Sequence, residues 1–141
     1  MRFENDLGLG LFRGYVHNFN KKNLLQTALA LEKNHISSFL KSIDGHFCLI
    51  IIKKNFSIVA VDKVRSIPII YAVKKNELIL SDNGEGMLKK IKLGPKDIDL
   101  FSSRLFALAG YSFNNNTLYK NIKQINPGSF LTITKNNLKL K

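Results

Sequence analysis

The stretch "HFCLIIIKKNFSIVAVD", His46 to Asp62, which follows the turn signal Asp44-Gly45, constrains the fold more than any other part of the chain. It reads as two strands around a tight Lys53-Lys54-Asn55 connection, and "IPIIYAVKKNELILSD" repeats the form with Lys74-Lys75-Asn76 as its turn. In the first strand Phe47, Leu49 and Ile51 point one way and Cys48, Ile50 and Ile52 the other, and both sets are apolar. Such a strand needs cover on both faces. Four consecutive strands in two hairpins predict an antiparallel sheet.

Helices are expected around that sheet. After a strand at "LFRGYVHNF", residues 11–19, the segment "NLLQTALALEKNHISSFLKSI" carries Leu24, Leu25, Ala28, Leu29 and Leu31 at helical spacing, with Asn23 and Gln26 placed like a capping pair. Ile36, Phe39, Leu40 and Ile43 continue on one side of a further helical turn or two. Beyond Gly94-Pro95, Asp97 can cap a helix with Phe101, Leu105 and Leu108 as its apolar stripe, ending at Gly110. A last strand is expected at Ser129–Ile133, whereas "TKNNLKLK" has no packing signal.

With 141 residues and 45% hydrophobic content the chain suits one domain, expected over residues 1–134, with 135–141 a tail or the start of a linker. The longest apolar run, Phe47–Ile52, is far short of the roughly 20 residues of a membrane span. "MRFENDLGLGLF" lacks the layout of a signal peptide, and one cysteine allows no internal disulfide, so a cytoplasmic location is expected.

A net charge of +12 raises the question of nucleic acid. The cations are 18 Lys and only 4 Arg, scattered as pairs beside apolar strands, a pattern that favours a solvated surface over base or phosphate recognition. "GLGLFRG", Gly8 to Gly14, superficially matches a dinucleotide loop but fits a flexible entry better. His17, His35 and His46 lie on different elements without metal-ligand spacing, so no metal site is expected. Cys48 is a candidate nucleophile only if exposed; between two apolar layers it is a small buried hydrophobe of low reactivity.

The order of motifs from residue 43 to 131 resembles the glutamine amidotransferase domain at the N-terminus of asparagine synthetases and of related beta-lactam and lasso-peptide synthetases. That family carries L-x-G-x-F-A-F followed by A-R-D-R-x-G-x-x-P-L-Y-Y. Here "IDGHFCL" and "AVDKVRSIPIIY" keep Gly45, Phe47, Ala60, Asp62, Pro68 and Tyr71 in register, with Cys48 at a small core alanine position. "LILSDNGEGMLKKI" is similar to a strand ending in A-S-E ahead of a short helix. The G-Y, T-L-F-x-x-I and P-P-G-x-x-L series is matched through Gly110, Tyr111, Thr117, Leu118, Ile122, Pro127, Gly128 and Leu131.

The resemblance implies an α+β fold of the N-terminal-nucleophile hydrolase type, layered antiparallel sheets with flanking helices, simplified in its N-terminal half. It also implies a catalytic cysteine at position 2, where this sequence has Arg2. The family's oxyanion segment N-G-E-I-Y-N corresponds to "RGYVHN"; Gly14 and Asn18 match, and Arg13 replaces the amide. "NGE" at Asn83–Glu85 is a decoy. The family's S-D-x-E strand, which binds the glutamine amino group, gives way here to a helical stretch.

These departures imply a catalytically inactive glutaminase-like domain, with Arg13, Gly14 and Asn18 as a vestigial site and Gly45, Asp62, Pro68, Tyr71, Gly110, Pro127 and Gly128 as structural positions. The implied partner is a synthetase domain or synthetase-like protein. ATP and Mg would belong to that partner, since neither an S-G-G-x-D-S nor a G-x-x-x-x-G-K-S/T loop occurs here. The alternative is a non-enzymatic binding module whose basic surface meets an acidic partner or nucleic acid.

Overall fold

The structure is a computed structural model that describes residues 1–75 and 77–134, together with the backbone of 137–140. The chain divides into two compact units, one formed by Met1–Ile67 with Pro127–Lys141 and the other by Pro68–Asn126. The chain passes from one unit to the other at a proline each time, Pro68 and Pro127. Proline fixes φ and restricts the residue before it, which suits a change of direction.

The first unit holds a six-stranded antiparallel sheet. Its strands are β1 (Arg2–Asn5), β2 (Gly8–Val16), β3 (Gly45–Ile52), β4 (Ser57–Val61), β8 (Phe130–Thr134) and β9 (Asn137–Leu140), adjacent in that order. Two helices, α1 (Lys21–Ala30) and α2 (Ile36–Ser42), connect β2 to β3. The apolar spacing of α1 has the expected result: Leu24, Leu25, Ala28 and Leu29 are fully buried, packed with Phe12, Phe47, Leu49, Ile51, Ile58 and Ala60 from one face of the sheet. Burying each such leucine is worth about 1.5–3 kcal/mol. On the opposite face Cys48, Val59, Val61 and Leu131 are buried too, but Ile52 at the end of β3 is 44% exposed. Cover on both faces therefore holds for the centre of the sheet and not for its rim.

The second unit has a three-stranded sheet of β6 (Glu77–Ser81), β5 (Ile70–Lys74) and β7 (Lys123–Gln124), with helices α3 (Gly84–Ile91) and α4 (Leu100–Ala109). Ala72, Met87, Ile91 and Ile122 form its core. Helix α3 is capped at both ends. The Asn83 side chain accepts from the Gly86 N–H at 3.1 Å, and the Lys74 ammonium donates to the Ile91 carbonyl at 2.8 Å. "NGE" is thus a helix start, and Glu85 with Lys89 forms an exposed pair one turn apart.

Several elements differ from the sequence expectation. The two hairpins do not share a sheet: β4 pairs with β8, which returns from far along the chain, while β5 pairs with β6 and β7. "GLGLFRG" is neither loop nor flexible entry; it lies in β2, which follows β1 through a short turn at Asp6-Leu7. The cap of α1 is Asn20, whose side chain accepts from the Lys22 N–H at 2.9 Å, and not Asn23. Asp97 belongs to a separate 3-10 turn, Pro95–Asp97, where its carboxylate accepts from the Gly94 N–H, and α4 is capped by Asp99. Within the tail, Asn137–Leu140 pairs with β8; Lys135, Asn136, Lys141 and the Asn76 of the second turn lie outside the described residues.

Candidate functional site

Strands β2 and β3 run side by side with Arg13 opposite Cys48, Gly14 opposite Phe47 and Tyr15 opposite His46. Gly14 has φ of 112°, and a Cβ there would run into the carbonyl oxygen of His46, so the close approach of these strands requires glycine. Gly45 faces the same restriction against the carbonyl of Tyr15. The first two residues of the segment matched to the oxyanion motif, Arg13 and Gly14, are therefore held inside a sheet ladder.

Asn18 is engaged in structure. Its amide donates to the Ser42 carbonyl at 2.7 Å and accepts from the Asp44 N–H at 3.0 Å, while the His17 N–H donates to the Asp44 carbonyl at 2.8 Å. It clamps the end of α2 to the chain that leaves β2. Arg13 is exposed at its position in the strand.

Asp62 is the centre of a second cluster. It is 3% exposed, and its carboxylate accepts from the Phe47 and Ser66 N–H groups on Oδ2 at 3.0 Å each. Oδ1 accepts from the Val64 N–H at 2.9 Å and the Ser66 hydroxyl at 3.2 Å. Its carbonyl accepts from the Gly128 N–H at 2.8 Å, so the P-G turn is fastened to the same residue. Burial alone would raise the Asp62 pKa, but the N–H donors of Val64, Phe47 and Ser66 and the Ser66 hydroxyl outweigh it and hold the carboxyl below its ordinary value. A fully engaged, low-pKa carboxylate is a poor proton acceptor, and Asp62 is a structural bracket.

Sequence reasoning missed Ser66 and the rings beside it. The Ser66 hydroxyl also meets His46 Nδ1, and the Tyr15 ring lies 5.2 Å from both His46 and His17. The order of contacts is His46, Ser66, Asp62. A nucleophile needs its base between itself and the orienting acid, whereas here the serine sits in the middle, between His46 and the Asp62 carboxylate. No local pattern signals this group, because His46 and Ser66 are brought together only by the turn after β4.

Cys48 lies in the middle of β3, 7% exposed, flanked in register by Arg13 and Val61. Its nitrogen is a peptide amide, which cannot serve as a base. His35 is the N-cap residue of α2. Among the described residues no cluster of three His, Cys, Asp or Glu could hold a metal ion, and no helix is long and apolar enough to cross a membrane.

The other matched positions have separate tasks. Tyr71 is buried in β5, Gly110 ends α4 in the left-handed conformation with φ of 77°, and Gly128 has φ of 65° in the turn before β8. Pro68 and Pro127 stand at the two crossings between units.

Residues 14–141 match the profile of the glutamine amidotransferase domain, and the chain belongs to that family. Among solved structures it is similar to glutamine phosphoribosylpyrophosphate amidotransferase from B. subtilis complexed with ADP and GMP, with a TM-score of 0.51 and 13% identity. It is also similar to a structure described as the allosteric regulatory enzyme of purine biosynthesis, with a TM-score of 0.56 and 13% identity. In each case all of this chain is covered and 30% of the other, so the chain spans about a third of those proteins. The fold is α+β, with antiparallel sheets and four helices, and it is shared with these structures along the whole chain. Among curated proteins none matches the chain.

Proposed function

We propose that this chain is a glutamine amidotransferase-type domain that does not hydrolyse glutamine and acts as a scaffold for a synthetase partner of the asparagine-synthetase-like, amide-forming kind. The observation that carries the reading is the position of the only cysteine, buried in mid-strand with its own nitrogen committed to a peptide bond. Two further features support it. Arg13 stands at the residue matched to the oxyanion amide, and the Asn18 amide is committed to the α2–β3 connection. A hole built to stabilise a developing oxyanion needs preorganised donors that are otherwise free, and removal of one costs about 100-fold or more in rate.

In this reading the Asp62 bracket and the P-G turn preserve the fold after loss of the reaction. ATP and Mg, with the chemistry of carboxylate activation, are assigned to the partner, and the cytoplasm is the compartment. The test is incubation of the purified chain with glutamine and measurement of glutamate and ammonia. No release above the uncatalysed rate is expected for the wild type or for Cys48→Ala. Turnover that survives purification and vanishes in Cys48→Ala would overturn the reading.

A further inference from the structure

Half of the large apolar side chains exposed on the described surface come from one short segment. Leu100, Phe101, Phe106, Leu108, Tyr111 and Phe113 are all exposed, Leu108 to 86%, Phe101 to 69% and Leu100 to 68%. They belong to α4 and the residues after it. The helix is turned with its polar side inward: Ser102 is buried and its hydroxyl donates to the capping Asp99 carboxylate at 2.9 Å. The Asp99 N–H in turn donates to the Leu118 carbonyl at 2.9 Å, which pins the start of the helix. With the inner side fixed in this way, Leu100, Phe101, Arg104 and Leu108 follow one another at helical spacing along the outer side, and the exposed Tyr111 comes just past the end of the helix. Contiguous apolar surface of this kind on a folded domain marks an interaction site more often than chance exposure.

Arg104 decides what can cover it. It stands in the middle of the stripe, exposed, about 6 Å along the axis from Leu100 and from Leu108. From Leu100 to Phe113 there is no Asp or Glu, and among the described residues Arg104 has no ion-pair partner. A second copy docked by two-fold symmetry through this stripe would set Arg104 against Arg104 within an apolar contact, a like-charge pair that desolvation makes worse.

We infer that the outer face of α4 is a docking surface for a different polypeptide, one that presents an apolar groove or helix face with a carboxylate opposite Arg104. The inference rests on the scaffold reading in one respect, that the occupant is its protein partner.

The experiment uses the full chain and two short fluorescein-labelled amphipathic helical peptides with the same leucine stripe, flanked by glutamates in one and by lysines in the other. Anisotropy titration is expected to show the wild type binding the glutamate peptide in preference to the lysine peptide. Leu108→Asp should weaken that binding about tenfold or more, and Arg104→Glu should reverse the preference. Both positions are exposed, and circular dichroism checks that the variants remain folded. Binding of neither peptide, equal binding of both, or binding indifferent to Leu108→Asp would overturn the inference. So would sedimentation showing a dimer that Leu108→Asp dissociates, which would make a second copy the occupant. A failure of the glutamine test leaves these outcomes untouched, because that assay reads turnover and does not involve α4.

Discussion

Asp62, just past the end of β4, and Cys48, in the neighbouring strand β3, are both buried, yet burial acts on them in opposite ways. The thiol is small and weakly polar and packs inside as a hydrophobe, whereas the carboxylate is stable inside because the N–H groups of Phe47, Val64 and Ser66 and the Ser66 hydroxyl are aimed at it. Replacing Asp62 with asparagine puts an amide N–H₂ where a carboxylate oxygen accepted, and leaves backbone N–H groups such as that of Phe47 short of an acceptor. Asp62→Asn should therefore cost about 2–4 kcal/mol at neutral pH, measured by urea unfolding. The wild type should also depend on pH through this group. Its folded pKa lies below its unfolded value, so the unfolded chain takes up the proton first and stability is present above that value. That stability is lost as pH falls below about 4 and through the folded pKa. The Asp62→Asn variant should lack this part of the acid loss; an unchanged acid profile would show that Asp62 does not carry it.

At the scale of elements, α1 separates what the sequence displays from what it leaves out. The buried face at Leu24, Leu25, Ala28 and Leu29 is legible because it follows from the helical period alone. The start is not, because Asn20 and Asn23 are both acceptable caps by residue type, and only the direction of the chain leaving β2 selects Asn20. Asn20→Ala should cost about 1 kcal/mol and Asn23→Ala less than about 0.5, in thermal melts of the two variants. Equal losses would return the cap to Asn23. The same limit explains α4, whose apolar stripe was legible as a pattern while its outward orientation depends on Asp99, Ser102 and the Leu118 carbonyl. It also explains the sheets. Strand pairs within a hairpin can be read locally, but the pairing of β4 with β8 joins segments far apart in sequence, and nothing in either strand announces the partner. The vestigial site was legible only as residue types: the commitment of Asn18 to Ser42 and Asp44, and the contact of His46 with Ser66, arise from the tertiary arrangement.

For the whole molecule, the two units differ in how much apolar surface they bury, and this sets the order in which the native state opens. The first unit has a large shared core of α1 side chains against three central strands, with fully buried Leu49, Val59 and Leu131 on the strands of its sheet. The second has the smaller cluster of Ala72, Met87, Ile91 and Ile122, a two-residue β7, and a helix α4 in which Ser102 is the buried residue. Local opening requires less free energy where fewer apolar contacts must be broken. Native-state hydrogen exchange should find the slowest amides in β3, β4 and α1, and α4 should exchange faster than α1 despite its equal length and intact cap. Docking of the acidic amphipathic peptide on α4 should slow α4 selectively, since a ligand stabilises the elements that must be formed to bind it. If α4 already exchanges as slowly as α1 in the free chain, its outer face is covered by the protein itself, and both the order of opening and the docking surface fail together.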